Sequence, residues 1–195
     1  MKTTKALTFT LLAFSFAPIA VAADSCLPQF SFCPAMEGLA GSFADCTQAP
    51  CEWKEGMATM SCKCRVKSNV AAVTTGGPTG GCKPGTKDNL QSRYSLVASM
   101  GVCTSATNHW GFCLDIKCGP GVNGFSKCEC TVLTSSGYSS NQYVIVGGNP
   151  GSCASNLYFS SATPSQVLAA TAFLRCQQPN NAEVVDPTIT WVAKP

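Results

Sequence analysis

The residues with the most latent chemistry are cysteines set in two matching groups. Cys46 and Cys51 precede the C-x-C pair Cys62/Cys64, and Cys113 and Cys118 precede Cys128/Cys130, at offsets of 67, 67, 66 and 66 residues. Thiolates two residues apart, with further cysteines nearby, could hold zinc or copper or exchange disulfides. The same spacing has another meaning in an oxidising compartment. Residues i and i+2 of a strand share a face, so each C-x-C sulfur would bridge to a different partner. The cysteines number 14, an even count concentrated in one exported chain, which points to a disulfide framework rather than a thiolate site. We therefore expect structural bridges, and no metal, at Cys26, Cys33, Cys46, Cys51, Cys62, Cys64, Cys82, Cys103, Cys113, Cys118, Cys128, Cys130, Cys153 and Cys176.

Two bridging frames compete. In the preferred one, the six cysteines from 46 to 103 and the six from 113 to 176 each close on themselves, and Cys26 joins Cys33. In the other, the closed sixes are Cys33 to Cys82 and Cys103 to Cys153, leaving Cys26 for Cys176. The intervals Cys82–Cys103 and Cys153–Cys176 match better in length and pattern, which favours the first frame. The connectivity inside each six stays open.

Other reactive groups are sparse. His109 is the only histidine, and its surroundings, Asn108-His109-Trp110-Gly111, contain no nucleophile motif, so a surface or packing role is expected. Glu52 and Glu55 lie close in sequence and Glu129 sits between two cysteines, but scattered acids read as solvated surface rather than a glycosidase pair. No catalytic residue is assigned. Lys63, Arg65 and Lys67 form a basic stripe on one side of a strand, within a stretch from 46 to 103 of net charge +4. Solvated charge is the default for such a row. With the aromatics Trp53 and Trp110 it is nevertheless the candidate binding surface. The Gly-rich runs before Cys82 and Cys153 lack the G-x-x-x-x-G-K-[ST] form of a phosphate cradle and read as tight turns.

These residues must be positioned by short elements. Thr59 to Val66 alternates with period two, Met60, Cys62, Cys64 and Val66 facing one way, which predicts a half-buried strand. A turn at 67–69 and a strand from Val70 to Thr75 would complete a hairpin. The apolar positions Leu90, Tyr94 and Val97 predict a helix ending near Gly101. The second group repeats the plan: a strand through Cys128, Cys130 and Val132, a turn at 135–137, and a strand from Gln142 to Val146. A helix capped by Thr163 with Pro164 at its first position would then run to about Leu174. Thr188 to Ala193 reads as a last strand. The expected fold is small α+β and disulfide-rich, with two tandem cysteine-framed modules, each a short β-hairpin plus a helix.

The chain's beginning has the form of a secretory signal peptide. Lys2 and Lys5 precede an apolar run, Pro18 breaks it, and Ala20-Val21-Ala22 offers a cleavage site. The expected plan is a signal peptide over 1–22, a lead-in over 23–45, modules over 46–103 and 113–176, and a tail with a strand over 177–195. No later apolar run reaches membrane-spanning length, so no transmembrane anchor is expected in the mature chain. The formal charge of +3 falls to about +1 once Lys2 and Lys5 leave, too little for nucleic acid or an anionic membrane. The absence of any Asn-x-Ser/Thr sequon leans towards a bacterial product. The resulting expectation is a secreted or periplasmic, non-enzymatic protein with a binding or structural role and no cofactor. Its partner would be an extracellular protein, a glycan or a cell-envelope component. A thiolate metal or redox protein and a small secreted hydrolase are the rival readings.

Overall fold

The computed structural model describes residues 30–36, 38, 41–75, 82–86, 88–96, 99–104, 109–134, 142–146, 158–162, 164–177, 179–180, 182 and 188–193. The expected signal peptide and Thr163 lie outside them. Strands come in the order β1 (Phe30–Cys33), β2 (Phe43–Asp45), β3 (Pro50–Glu52), β4 (Thr59–Lys67), β5 (Ala72–Thr75), β6 (Leu90–Ser95) and β7 (Ser99–Thr104). They continue with β8 (His109–Phe112), β9 (Lys117–Cys118), β10 (Phe125–Thr134), β11 (Gln142–Val146) and β12 (Tyr158–Phe159); then α1 (Pro164–Gln177) and β13 (Thr188–Ala193). The main sheet runs β1-β5-β6-β2-β4-β10-β8, with β3, β9 and β12 attached to its side, and β11-β7-β13 form a second sheet. The main sheet curls into a half-barrel.

This architecture overturns the expected pair of hairpin-plus-helix modules. β5 does not fold back on β4; it pairs with β1 and β6. β11 does not fold back on β10; it pairs with β7. The segment expected to be helical from Leu90 is two strands, β6 and β7. The reason lies in the arithmetic of the pattern. A spacing of four between Leu90 and Tyr94 fits a helix face, but it equally places both on one face of a strand with Ser92 between them. β6 lies between β2 and β5 and buries Leu90, Ser92, Arg93 and Tyr94, so both its faces are covered and polar alternation disappears. The second expected helix does form. Pro164 opens α1, which extends to Gln177 with Arg175 in its last turn, a placement the helix dipole favours. Phe173 and Leu174 seat it against Val73 with Phe30 and Phe32 alongside.

The preferred bridging frame is also overturned. Cys33 bonds to Cys82, and within the first quartet Cys46 bonds to Cys64 and Cys51 to Cys62. The six cysteines from Cys33 to Cys82 therefore close on themselves, as the alternative frame requires. Cys113–Cys130 and Cys118–Cys128 repeat the nested pattern in the second quartet. Similar intervals between cysteines misled because the Cys33–Cys82 bond joins positions 49 residues apart, a contact that spacing does not encode.

The two quartets meet at their C-x-C strands. β4 and β10 pair antiparallel with Cys62 opposite Cys128, its own counterpart. That register creates a local two-fold relation. Ala44 faces Val66 on one side, and Gly111 faces Val132 in the matching place on the other. Each half also lends a strand to its neighbour: Leu90 of β6 pairs with Cys118, and Tyr158 of β12 pairs with Cys51. Ser92 and Ser160 lock these exchanges alike. The Ile116 amide donates to Ser92 Oγ at 2.7 Å and the Ala49 amide to Ser160 Oγ at 2.8 Å. The halves are interleaved, not lined up in tandem.

Beneath β4 and β10 lies a core made largely of sulfur. Cys46, Cys62, Cys64, Cys113, Cys118, Cys128 and Cys130 are buried together with Met60, Leu90, Tyr94 and Leu114. Bridges from the two halves touch: Cys46 Sγ lies 3.6 Å from Cys128 Sγ. Gly111 admits this packing, since a β-carbon there would stand 3.0 Å from Met60 Sδ and 3.1 Å from Cys62 Sγ.

Candidate functional site

Alternation along β4 sends its sulfurs into the core and its cations out. Met60, Cys62 and Cys64 are buried, while Lys63 and Arg65 on the opposite face are exposed. β10 divides in the same way, with Ser126, Cys128 and Cys130 inside and Lys127 and Glu129 outside. The register sets Lys127 directly opposite Lys63 and Phe125 opposite Arg65. Side chains so opposed have β-carbons about 4.5–5.5 Å apart, and like charges in that relation are unfavourable. Lys63 turns away from Lys127 and places its ammonium 4.4 Å above the Phe125 ring. Lys127 meets Glu129 at 3.3 Å, both side chains well exposed, where an ion pair adds little.

Lys67 has a different task. Its Nζ lies 2.6 Å from the buried carboxylate of Asp45 and 3.1 Å from Ser95 Oγ. Asp45 also accepts from the Thr47 amide at 3.0 Å and from Ser95 Oγ at 2.8 Å. This network ties β2, β4 and β6 together, so Lys67 is half structural. Arg65 meets no carboxylate among the described residues. Of the three β4 cations, Lys63 and Arg65 are thus the ones left facing solvent.

They border a groove with two lobes. One, of about 550 Å³, is lined by Pro50, Ser61, Lys63, Pro120, Val122 and Phe125, among others, with Glu52 and Lys127 at its margin. The other, of about 360 Å³, has Asp45, Thr47, Lys63, Arg65 and Lys67 in its wall. Pro50, Lys63 and Phe125 line both, so the lobes adjoin at these residues. Val122, 60% exposed, gives the larger lobe an apolar lip.

The aromatics of the expected binding surface separate. Trp110 is fully buried, edge-on to Phe112, so it belongs to the interior and offers no surface. Its place in β8 matches that of buried Phe43 in β2. Trp53 is half-buried, stacked on His109 at 4.2 Å and edge-on to Tyr158 at 5.4 Å, with its indole N–H donating to the Met57 carbonyl at 2.8 Å. The only histidine therefore packs on an indole. Glu52 and Glu55 are exposed.

Groups of cysteine sulfurs do come within 4.8 Å of one another: Cys46/Cys64/Cys113, Cys46/Cys118/Cys128 and Cys62/Cys113/Cys130. All belong to disulfides. A disulfide sulfur is not the thiolate that metal binding and nucleophilic exchange require, and burial closes these bridges to an attacking thiol, apart from partly exposed Cys51. Five bridges are compatible with an extracellular protein stabilised by disulfides, in an oxidising extracellular or periplasmic environment. No described helix is long and apolar enough to cross a membrane.

Sequence reasoning found Lys63, Arg65 and Lys67 but missed Phe125, Lys127, Pro120 and Val122. Phe125 and Lys127 join the site through the β4–β10 register, whose only trace in the sequence is the offset relating Cys62 to Cys128, and Pro120 and Val122 through the loop that leads into β10. Comparison of the chain with protein-family models, with curated proteins and with solved structures finds no match.

Proposed function

We propose that the protein is exported, has no enzymatic activity, and binds an anionic partner outside the cytoplasm through the groove on the outer face of β4. One observation carries this reading: Lys63 and Arg65 line a groove on a sheet face where the fold needs neither of them. Buried Asp45 anchors Lys67, and the sulfur core is indifferent to what the outward positions hold. The matching outward positions of β10 are Glu129, Thr131 and Leu133, so the cations are a property of one half, imposed by no packing requirement. Nested bridges on both sides hold the face rigid, which lowers the ordering cost of binding. Export with cleavage after Ala22 accompanies the proposal, and the secreted chain is expected to begin at Ala23.

The test compares the oxidised protein with a Lys63→Glu/Arg65→Glu variant on immobilised polyglutamate, on heparin and on anionic vesicles near physiological salt. The reading requires the native protein to be retained on at least one of these, and the variant to be lost from it with its melting temperature unchanged. Failure of the native protein on all three refutes it.

A further inference from the structure

We infer that the Cys33–Cys82 bridge is a site of reversible thiol–disulfide exchange, opened at Cys82 by an external dithiol while the sulfur core stays closed. Exchange begins when a thiolate attacks one sulfur of a bridge, so access to that sulfur decides which bridges react. Among the described bridges, three have both cysteines buried: Cys46–Cys64, Cys113–Cys130 and Cys118–Cys128. Cys51 is half-buried, but it lies within β3, paired to Cys62 on one side and Tyr158 on the other. Cys82 is exposed and lies outside every described strand. Lys83 and Pro84 after it are exposed as well, and Lys83 adds a positive charge that draws a thiolate. The bonded partner, Cys33, is buried in β1. One end of this bridge is therefore open to attack and the other is shielded.

The fold also holds both ends by other means. β1 pairs with β5 from Phe30 to Cys33, and the Phe30 ring packs on Phe173 of α1 at 6.4 Å between centroids. On the other side, the buried Arg93 guanidinium donates to the Lys83 carbonyl at 2.7 Å, which anchors the residue next to Cys82. The attacking thiolate forms a mixed disulfide with Cys82 Sγ. The electron pair of the broken bond leaves on Cys33 Sγ, which takes up a proton. The donor's second thiol then attacks its own sulfur in the mixed disulfide and releases Cys82 as a thiolate. Two electrons pass in all: the dithiol closes to a disulfide and the bridge is reduced. With both ends still anchored, an oxidant can close it again.

The measurement treats the native, oxidised chain with dithiothreitol, quenches in acid, and labels new thiols under denaturing conditions for peptide mapping. Label is expected at Cys33 and Cys82 about tenfold sooner than at the eight cysteines of the two quartets. A cooperative melt should be retained at that stage, and glutathione disulfide should restore the Cys33–Cys82 bond. Simultaneous labelling of this bridge and the quartets overturns the inference, as does earlier labelling of Cys51 and Cys62. Failure to reclose overturns its reversibility. Two variants locate the attacked sulfur. In Cys33→Ser the remaining Cys82 thiol should react with an aromatic disulfide reagent in the folded protein. In Cys82→Ser the Cys33 thiol should stay unreactive until denaturant is added. Equal reactivity of the two overturns attack at Cys82; if neither variant folds, the order of labelling in the native chain decides.

Discussion

β4 and β10 are the same strand on one side and different strands on the other. Inward, both carry a C-x-C pair bridged to the two preceding cysteines in the same nested order, and they meet at Cys62 and Cys128. Outward, Lys63, Arg65 and Lys67 correspond to Glu129, Thr131 and Leu133. The difference separates what the fold demands from what it merely tolerates. Inward positions are fixed by sulfur packing, where a misplaced methyl has nowhere to go; outward positions are free to specialise.

The comparison breaks most severely if equivalent bridges prove unequal. Replacing Cys46 and Cys64 by alanine should cost about 2–5 kcal/mol, and so should replacing Cys113 and Cys130. Denaturant melts of the two variants would agree if the halves carry equal weight; unfolding of only one would end that equivalence. Next comes the contact that makes the halves unequal near the core. Asp45→Ala strips the Lys67 network and should cost about 1.5–3 kcal/mol, whereas Phe112, in the matching place, has no such network to lose.

Gly111 and Ala44 give a sharper contrast. Gly111→Ala pushes a methyl against Met60 and Cys62 and should cost about 1–3 kcal/mol. Ala44→Gly, the reverse exchange at the matching site, should cost only about 0.5–1 kcal/mol. Thermal melts of the pair suffice.

Tyr94 is the inward exception. In the first half the Cys46 amide donates directly to the Arg93 carbonyl at 3.0 Å. In the second, the Tyr94 hydroxyl stands between, accepting from the Cys113 amide at 3.2 Å and donating to the Ser161 carbonyl at 2.9 Å. Burial raises the Tyr94 pKa, the Cys113 hydrogen bond opposing it in part. The unfolded chain thus loses its phenolic proton first, and stability that is whole below about pH 10 declines as the pH rises beyond that point. Tyr94→Phe should cost about 1 kcal/mol at neutral pH and flatten the alkaline decline; melting temperatures followed between pH 8 and 11 read both. Smallest of all, Lys63→Ser and Arg65→Ser should move stability by less than about 0.5 kcal/mol. A larger loss would place the outward face among the fold's requirements and dissolve the distinction drawn above.

The parts legible in the sequence were those with local causes. Strict alternation announced β4 and its counterpart β10, a proline after a capping residue announced α1, and an apolar run announced β11. What escaped depended on long-range pairing. The hairpins failed because nothing in the segment from Val70 to Thr75 says that it lies beside Phe30–Cys33 rather than β4. β6 passed for a helix because a spacing of four serves both periods. Trp110 passed for surface because residues 104–112 fell between the expected modules, whereas β8 buries it edge-on to Phe112. For the site, the β4 cations could be read directly, but their groove is a product of register.

The proximity of Cys46 to Cys128 has a consequence for how the molecule matures. With sulfurs of different bridges only 3.6 Å apart, an incorrect partner is within reach as easily as the correct one. Oxidation that outruns strand alignment would trap mispaired species, and recovery would depend on an isomerase able to shuffle them.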